Sequence, residues 1–302
     1  MRVECAIIGG GPAGLNAALV LGRARRRVIV FDDNQPRNAV TRHTHGFITR
    51  DGVKPAELRN LAWQDIRRYP SVQASTKQMT GVMPLPGGGF RLQTGDGAVY
   101  QARKLLLATG LRETLPNIPG IRQFYGRSLY NCPYCDGYEL RDQPLVVIAE
   151  GSGAFALARL AYQWSRDLLL CTNGAAGSLN QEEIRLLQRK KVQISYERIK
   201  ELAGKDGALR SVQFENGKSM KRAGGFVSTY WRHASPFGDQ LGCRMNEAGG
   251  METDSLGRTS VYGVYAAGDA SGIAPAQAVI AAGEGSRAAI GINTDLLRED
   301  FV

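Results

Sequence analysis

Short apolar runs alternate with polar, turn-rich segments along the chain. Strands buried on both faces of a parallel sheet have such nearly continuous hydrophobic runs, and helix-like stretches at Leu15–Gly22 and Phe155–Trp164 follow two of them. The runs that we predict to be buried strands are Cys5–Ile8, Val28–Phe31, Leu105–Gly110, Pro144–Ile148, Leu168–Cys171 and Val264–Asp269. The strand–helix–strand unit therefore occurs twice, which predicts an α/β fold with parallel sheets.

Each unit is followed by a segment with the pattern of a β-meander. The first runs from about 79 to 108 through turns at 86–89 and 95–97, and the second from about 192 to 227 through turns at 205–207 and 215–217. Gly, Asp, Asn and Pro at these turns favour antiparallel hairpins. Connectors at Leu115–Gly120 and near Ser235–Gly238 bound the second copy. We predict two Rossmann-like three-layer domains, the second inserted in the first, each with a β-meander.

A glycine-rich turn with the spacing G-x-G-x-x-G joins the first strand to the first helix. In such loops the first glycine makes the tight turn, the second lets a pyrophosphate approach the backbone, and the third permits close helix–strand packing. The next strand ends in Asp32, 18 residues after the third glycine, where a ribose-binding acid belongs. The residues predicted to form this dinucleotide loop are Gly9, Gly11, Pro12, Ala13 and Gly14.

Two further strands end in residues suited to the same cofactor. The strand that ends at Gly110 presents its backbone to the cofactor. The strand that ends at Asp269 has this acidic residue just before a helix-like run at 276–290. Such an acid can take a ribityl or ribose hydroxyl while the helix N-terminus faces phosphate. The residues predicted at these strand ends are Ala108, Thr109, Gly110, Gly268 and Asp269.

Composition and charge narrow the class of protein. Hydrophobic residues make up 43% of the chain and charged residues 22%, which excludes wholesale disorder. The net charge of +10 suits an anionic cofactor or an acidic partner better than nucleic acid, because the densest cluster, at 23–27, has the position of a helix end. The early apolar stretch Cys5–Gly22 contains five glycines and a proline, so it is a poor membrane span or signal peptide. We therefore expect a cytoplasmic protein that binds neither nucleic acid nor membrane.

Two of the five cysteines, Cys132 and Cys135, have the spacing C-x-x-C. Such pairs can close a short disulfide and often lower the pKa of one thiol. A structural zinc site needs four ligands at set spacing, and the other cysteines are isolated. We therefore predict redox chemistry and no metal.

Four motifs carry a resemblance to a known family. They are, in this order, Gly9–Gly14, Ala108–Gly110, Cys132–Gly137 and Ala267–Asp269. Over essentially its whole length the chain resembles the low-molecular-weight thioredoxin reductases. The resemblance implies a homodimeric flavoprotein, with FAD bound by residues 1–113 and 242–302. It also implies an inserted pyridine-nucleotide-type domain, residues 114–241, that carries the redox disulfide.

Two segments, Asp32–Asn38 and Thr41–Asp51, resemble a side branch of that family. The branch contains small-molecule dithiol oxidases of the gliotoxin and holomycin type, and reductases that do not use NADPH.

The resemblance also assigns roles around the disulfide. Cys135 is implied to face the flavin, Cys132 to exchange with the substrate, and Asp136 to donate and accept protons as a general acid–base. The cofactor contacts that it adds are Arg37, Gln277 and Ala278, with Gln277 near the isoalloxazine.

The three histidines leave alternatives open. His43 and His45 form an H-x-H pair in a polar stretch. They are either solvated loop residues, or His45 acts as a base beside the flavin or dithiol near neutral pH. The role of His233 stays open.

The second glycine loop departs from the family pattern. The strand spacing favours a register with Ala149, Gly151 and Ala154 at the three turn positions, whereas a shift by two residues restores the glycines. In the favoured register Glu150 lies where pyrophosphate would bind. NADPH-dependent members carry arginines after the next strand, and the corresponding positions here are Thr172, Asn173, Gly174 and Ser178. We therefore expect poor NAD(P)H binding, unless arginines such as Arg185 or Arg189 reach the site.

The sequence leaves several functions in competition. An FAD-dependent disulfide oxidoreductase could be fed by an acidic carrier such as ferredoxin, could pass electrons from a dithiol to oxygen, or could be an NADPH-dependent thioredoxin reductase. Its thiol partner would be a thioredoxin-like protein or a small dithiol. A flavin-binding regulatory protein with an idle disulfide is the alternative from another class, and the Cys-Pro-Tyr-Cys-Asp run counts against it.

Overall fold

The structure, a computed structural model, describes residues 2–175, 177–272 and 275–302. The strands are β1 (Arg2–Ile8), β2 (Val28–Phe31), β3 (Val72–Ser75), β4 (Met79–Pro84), β5 (Phe90–Thr94), β6 (Val99–Leu107), β7 (Leu111–Thr114), β8 (Leu129–Tyr130), β9 (Leu145–Ile148), β10 (Leu168–Cys171), β11 (Gln193–Ser195), β12 (Ile199–Lys205), β13 (Ala208–Phe214), β14 (Ser219–Lys221), β15 (Gly224–Val227), β16 (Tyr230–His233) and β17 (Val264–Ala266). The helices are α1 (Pro12–Arg23), α2 (Pro55–Ile66), α3 (Ile121–Phe124), α4 (Pro133–Asp136), α5 (Ala154–Ala161), α6 (Gln181–Arg189), α7 (Phe237–Gln240) and α8 (Ala278–Asp300).

The chain divides into two compact units. The first contains the residues up to Ala39, Gly46–Arg112 and the residues from Arg232 onward, and the second contains Val40–His45 and Glu113–Trp231. One unit is therefore inserted in the other, but the boundaries differ from those expected, by one residue at Arg112 and by more in two other places. The chain returns to the first unit at Arg232 rather than at 242, and the short segment 40–45 belongs to the second unit.

The first unit is built on a seven-stranded sheet in the order β3-β2-β1-β6-β5-β4, with β17 paired to β6. The strands β1, β2, β3, β6 and β17 pair in parallel, and β4, β5 and β6 form the antiparallel meander expected near 79–108. Val28 and Val30 face a cluster formed with α1 and α8, while Ile29 and Phe31 face a second cluster. Both faces of β2 are buried, which explains its continuous apolar run.

The second unit repeats this plan with two sheets. A parallel sheet has the order β11-β10-β9-β15-β8, and the expected meander is a separate antiparallel sheet of β12, β13 and β14. Leu145 and Val147 pack on one face of β9, and Val146 and Ile148 pack on the other. The predicted α/β class with two Rossmann-like units is confirmed.

The last helix is longer than the apolar pattern predicts. We expected it to run over 276–290, whereas α8 extends over Ala278–Asp300. Two cations of the first unit pair with its polar end, since the buried Lys104 of β6 pairs with Glu299 and Arg26, which precedes β2, donates to Asp300 at 2.8 Å. These ion pairs act together with Ile292 and Leu296, which are fully buried in the same part of the helix.

Two helices, α2 and α6, lie where the apolar pattern predicted no element. Each buries little: Pro55 and Ile66 in α2, and Leu187 in α6. A capping box starts α6, because the Glu183 N–H donates to Asn180 Oδ1 at 2.9 Å and the Asn180 N–H donates back to Glu183 Oε2 at 2.8 Å. Within the described ranges, no helix has the length and apolar content needed to cross a bilayer.

Candidate active site

The first glycine loop gives each of its glycines a different reason to be glycine. Gly9 has φ +111°, and a Cβ on it would lie 2.2 Å from the Ala108 carbonyl oxygen. A Cβ on Gly14 would lie 1.9 Å from the Gly9 oxygen, whereas a Cβ on Gly11 would meet nothing within 4 Å. Gly9 and Gly14 are therefore required by packing, and Gly11 keeps one side of the backbone open at the N-terminus of α1.

Asp32 follows β2 directly and lies against the same loop. A Cβ on Gly10 would be 2.3 Å from Asp32 Oδ2, so only glycine leaves room for this carboxylate. The carboxylate is paired with Arg59 of α2, a residue that the sequence analysis did not single out.

Asp269, the second acid predicted at the cofactor site, is also paired with an arginine. Arg37 Nη2 donates to Asp269 Oδ2 at 2.8 Å. The Gly268 N–H next to it donates to Glu284 Oε2 at 2.7 Å, and burial raises the pKa of Glu284. Gly110 has φ +69° at the end of β6, and Gln277 is the N-cap residue of α8, directly before Ala278.

These residues fit an FAD molecule. The open face of Gly11 at the start of a twelve-residue helix suits a pyrophosphate, and Asp32 and Asp269 offer carboxylates for hydroxyl groups. The first unit alone contains all the predicted cofactor contacts: Gly9, Gly11, Pro12, Ala13, Gly14, Asp32, Arg37, Ala108, Thr109, Gly110, Gly268, Asp269, Gln277 and Ala278.

The C-x-x-C pair forms a disulfide in the second unit. Cys132 is the N-cap residue of the short helix α4, and its Sγ is bonded to that of Cys135, with a Cα–Cα distance of 5.3 Å. The other three cysteines, Cys5, Cys171 and Cys243, are buried thiols, and burial raises the pKa of each. They are core residues.

Asp136, the residue after Cys135, has an unusual protonation behaviour. Its pKa is raised to about 7, because the raising effect of burial, with a smaller one from the negative charge of Glu139, exceeds the lowering effect of His45. His45 Nε2 lies 3.7 Å from Glu139 Oε1. The structure thus places His45 with the Asp136 cluster in the second unit, and it adds Glu139, which sequence reasoning missed although it follows Asp136 by one helical turn.

The other two histidines have different surroundings. His43 is exposed, with its ring centroid 6.0 Å from that of His45. His233 Nε2 lies 2.7 Å from the carbonyl oxygen of Gly249 in the first unit.

The second glycine turn combines the two registers that the sequence allows. The Ala149 N–H donates to the Cys171 oxygen at 3.0 Å, as the Gly9 N–H donates to the Phe31 oxygen at 2.8 Å. The strand ends therefore match with Ala149 in the place of Gly9. However, five residues separate β9 from α5, against three between β1 and α1, so the helix starts two residues late and takes Gly153 as its N-cap.

Side chains of the second unit bond the Glu150 carboxylate and one N–H group of this turn. Glu150 accepts hydrogen bonds from Asn173 Nδ2 at 2.6 Å and from the Tyr230 hydroxyl at 3.0 Å, which raises the pKa of Tyr230. The Gly151 N–H donates to Ser178 Oγ at 3.1 Å. Sequence reasoning found Glu150 and Asn173 at this site but had no signal for Tyr230, which lies 80 residues away from Glu150.

The end of β10, where a nucleotide ribose would bind, contains one cation that the sequence analysis missed. Asn173 Oδ1 accepts from the Ile199 N–H at 2.8 Å. A Cβ on Gly174 would be 2.8 Å from Arg198 Cγ and 3.2 Å from its Nε. Arg198 therefore lies beside this end, whereas Arg185 and Arg189 are exposed residues of α6.

Comparison with known proteins agrees with this architecture. Residues 3–285 match the model of the pyridine nucleotide-disulphide oxidoreductase family. A protein of Arthroderma benhamiae described as a probable thioredoxin reductase is 32% identical over 99% of this chain and 81% of its own length. A Bacillus anthracis structure described as a thioredoxin reductase, TrxB, is 43% identical, with a TM-score of 0.94 and 99% of both chains covered. The structure of HlmI is 36% identical, with a TM-score of 0.94, 99% of this chain and 94% of its own covered.

Proposed function

Because this chain belongs to the pyridine nucleotide-disulphide oxidoreductase family and is a thioredoxin reductase-like FAD enzyme, we propose that it moves electrons between FAD and the Cys132–Cys135 disulfide without NAD(P)H. Its thiol partner is a thioredoxin-like protein or a small dithiol. The other end of the electron path is an acidic one-electron carrier such as a ferredoxin, or oxygen.

The glycine turn of the second unit carries the proposal that NAD(P)H is not used. Pyrophosphate binds to open N–H groups at such turns, but here the Gly151 N–H is bonded to Ser178 and the Glu150 carboxylate lies in the turn. Two unit charges about 4 Å apart repel by about 4 kcal/mol at an effective dielectric of 20. A deficit of about 2 kcal/mol already weakens binding about thirtyfold.

The residues around the disulfide would supply its protons. FAD, when bound, exchanges electron pairs with thiol–disulfide couples. Reduction of the disulfide breaks the Sγ–Sγ bond, and two electrons and two protons give two thiols. Asp136 provides or accepts one of these protons, because its pKa of about 7 leaves it partly protonated at neutral pH. His45 and Glu139, 3.7 Å apart, connect this site with solvent, and Cys132 exchanges with the partner while Cys135 exchanges with the flavin.

An anaerobic reduction series tests the proposal. The flavin absorbance of the purified holoprotein is followed after addition of NADPH, NADH, reduced ferredoxin or dithiothreitol. We expect dithiothreitol and a low-potential one-electron carrier to bleach the flavin, because neither requires the second nucleotide site. NADPH and NADH at micromolar concentration should leave it oxidised, and the dithiothreitol sample is the control that flavin and disulfide are competent. Rapid stoichiometric bleaching by NADPH would refute the proposal.

Arg198 favours a second candidate, an NADPH-dependent thioredoxin reductase. Its side chain packs against Gly174 at the end of β10, where a cation could pair with the 2′-phosphate. If NADPH does bleach the flavin, Arg198→Ala should raise the NADPH concentration that is needed and leave reduction by NADH unchanged. Equal loss with both nucleotides would exclude this role of Arg198.

A homodimer is part of the same proposal. Val279, Ile290 and Leu297 are exposed on α8, and Phe301 is exposed directly after it. Spacings of eleven, seven and four residues bring these side chains to one helix face, and an apolar stripe of this kind suits contact with a second copy. Light scattering of the purified protein should give twice the mass of one chain, and the mass of a single chain would exclude the dimer.

A further inference from the structure

The ion pair between Asp32 and Arg59 is the least expected feature of the cofactor site. Arg59 lies on α2, 27 residues along the chain from Asp32, and it donates from Nη2 to Asp32 Oδ2 and from Nη1 to Asn34 Oδ1. The side chains of Arg59 and Asp32 are 14% and 15% exposed. A pair this buried is screened little by salt, so it constrains the carboxylate more than a surface pair would.

Three neighbours together determine where the Asp32 carboxylate points. Arg59 pairs with Oδ2, the Asn34 N–H donates to Oδ1 at 3.1 Å, and Gly10 leaves the space in which the carboxylate lies. Asn34 has φ +59°, which allows the chain to turn back toward Asp32. Residues of the chain itself therefore hold the carboxylate over the glycine loop.

We propose that Arg59 is a positioning residue for FAD. Its guanidinium orients Asp32 so that the carboxylate accepts the hydroxyl groups of the cofactor ribose. An acceptor that is already ordered gives up less conformational entropy when the ligand binds. Arg59 acts through Asp32, and its planar fork spans Asp32 and Asn34 together, which the single ammonium group of lysine cannot do.

The affinity for FAD tests this role without any measurement of activity. Purified holoprotein is diluted stepwise, and the fluorescence of released flavin gives the dissociation constant. Losing a charge-assisted contact that orders Asp32 should raise this constant about tenfold in Arg59→Ala, and Arg59→Lys should recover part of the loss. Arg68→Ala is the matched control, because it also removes one arginine charge, here from an exposed ion pair with Asp65. The FAD affinity of this variant should match that of the wild type.

A double-mutant cycle separates action through Asp32 from direct attraction of the phosphates. In an Asp32→Asn background, the further change Arg59→Ala should alter the dissociation constant less than about twofold. A full tenfold effect in that background, or tighter FAD binding in Arg59→Ala, would overturn the proposal. If Arg59→Ala does not fold, Arg59→Lys carries the test in the same cycle, and wild-type affinity in that variant would also overturn it.

Discussion

At the residue scale, burial is the main cause of the raised pKa of Asp136. An ordinary aspartate has a pKa of about 3.9 and is fully ionised at neutral pH. Burial raises the pKa of Asp136 to about 7, with Glu139 reinforcing the shift and His45 opposing it. The side chain can therefore release and take up a proton near neutral pH, which a general acid–base beside a disulfide requires.

Replacement of Asp136 by asparagine should change how stability depends on pH. Between about pH 4 and about pH 7, the folded wild type binds more protons at this site than the unfolded chain, so its free energy of unfolding falls as the pH rises. Asparagine cannot ionise and lacks this fall. Urea unfolding at about pH 5 and about pH 8 should show Asp136→Asn gaining stability relative to wild type at the higher pH.

A second variant checks the cause of this difference. Glu139 raises the pKa of Asp136, so Glu139→Gln should lower that pKa and make the fall in stability smaller. If the difference between wild type and Asp136→Asn is the same at both pH values, the raised pKa is wrong.

At the scale of elements, the two strand–turn–helix units share one topology but differ in their turns. The turn after β1 is tight, and its middle glycine is open. The turn after β9 is two residues longer, its Gly151 N–H is bonded to Ser178, and its Glu150 carboxylate accepts from Asn173. The first turn thus leaves space beside Gly11, whereas the second contains a carboxylate and a bonded N–H group.

Two glycines of the first turn should respond in opposite ways to substitution. Gly11 has extended backbone and open space around a Cβ, so Gly11→Val should fold normally but exclude the pyrophosphate and yield colourless protein. Gly14→Ala places a Cβ 1.9 Å from the Gly9 oxygen, which should cost about 1–3 kcal/mol or more of stability. Circular dichroism, thermal unfolding and flavin absorbance distinguish the two effects.

The reverse pattern would remove the basis for this assignment. A yellow Gly11→Val protein with wild-type flavin content, or a Gly14→Ala protein as stable as wild type, would show that the loop does not hold the cofactor as described.

At the scale of the whole molecule, the charge balance bears on the electron donor. The chain carries 38 Lys and Arg against 28 Asp and Glu, a net charge of +10. Part of the positive charge is used internally, since Arg26, Lys104 and Arg258 pair with carboxylates of α8. The remaining excess gives a field that attracts acidic proteins over a distance set by the ionic strength.

Reduction by an acidic carrier should therefore be sensitive to salt. The Debye length falls from about 30 Å at 0.01 M ionic strength to about 8 Å at 0.15 M, and we expect the bimolecular rate with reduced ferredoxin to fall about tenfold or more over this range. Stopped-flow flavin bleaching measures the rate. Dithiothreitol is uncharged at neutral pH and is the control, with a rate that should change less than about twofold. A carrier rate independent of salt would exclude electrostatic steering.

Those parts of the protein that depend on local pattern can be predicted from the amino-acid sequence. The strands at Val28–Phe31 and Leu168–Cys171 have the predicted bounds, because strands buried on both faces must be apolar throughout. The glycine loop and the C-x-x-C disulfide are also local, since turn geometry and short ring closure depend on neighbouring residues. The departure of the second turn from the glycine pattern is local in the same way, since Glu150 lies within the turn.

Features that join distant parts of the chain come from the three-dimensional packing. Arg59 reaches Asp32 across 27 residues, and Tyr230 reaches Glu150 across 80. The assignment of segment 40–45 to the second unit and the pairing of Lys104 with Glu299 at the end of α8 depend on packing in the same way. Hydrogen bonds, ion pairs and the burial that raises the pKa of Asp136 are set by which side chains meet in space, and spacing along a sequence contains that information only for near neighbours.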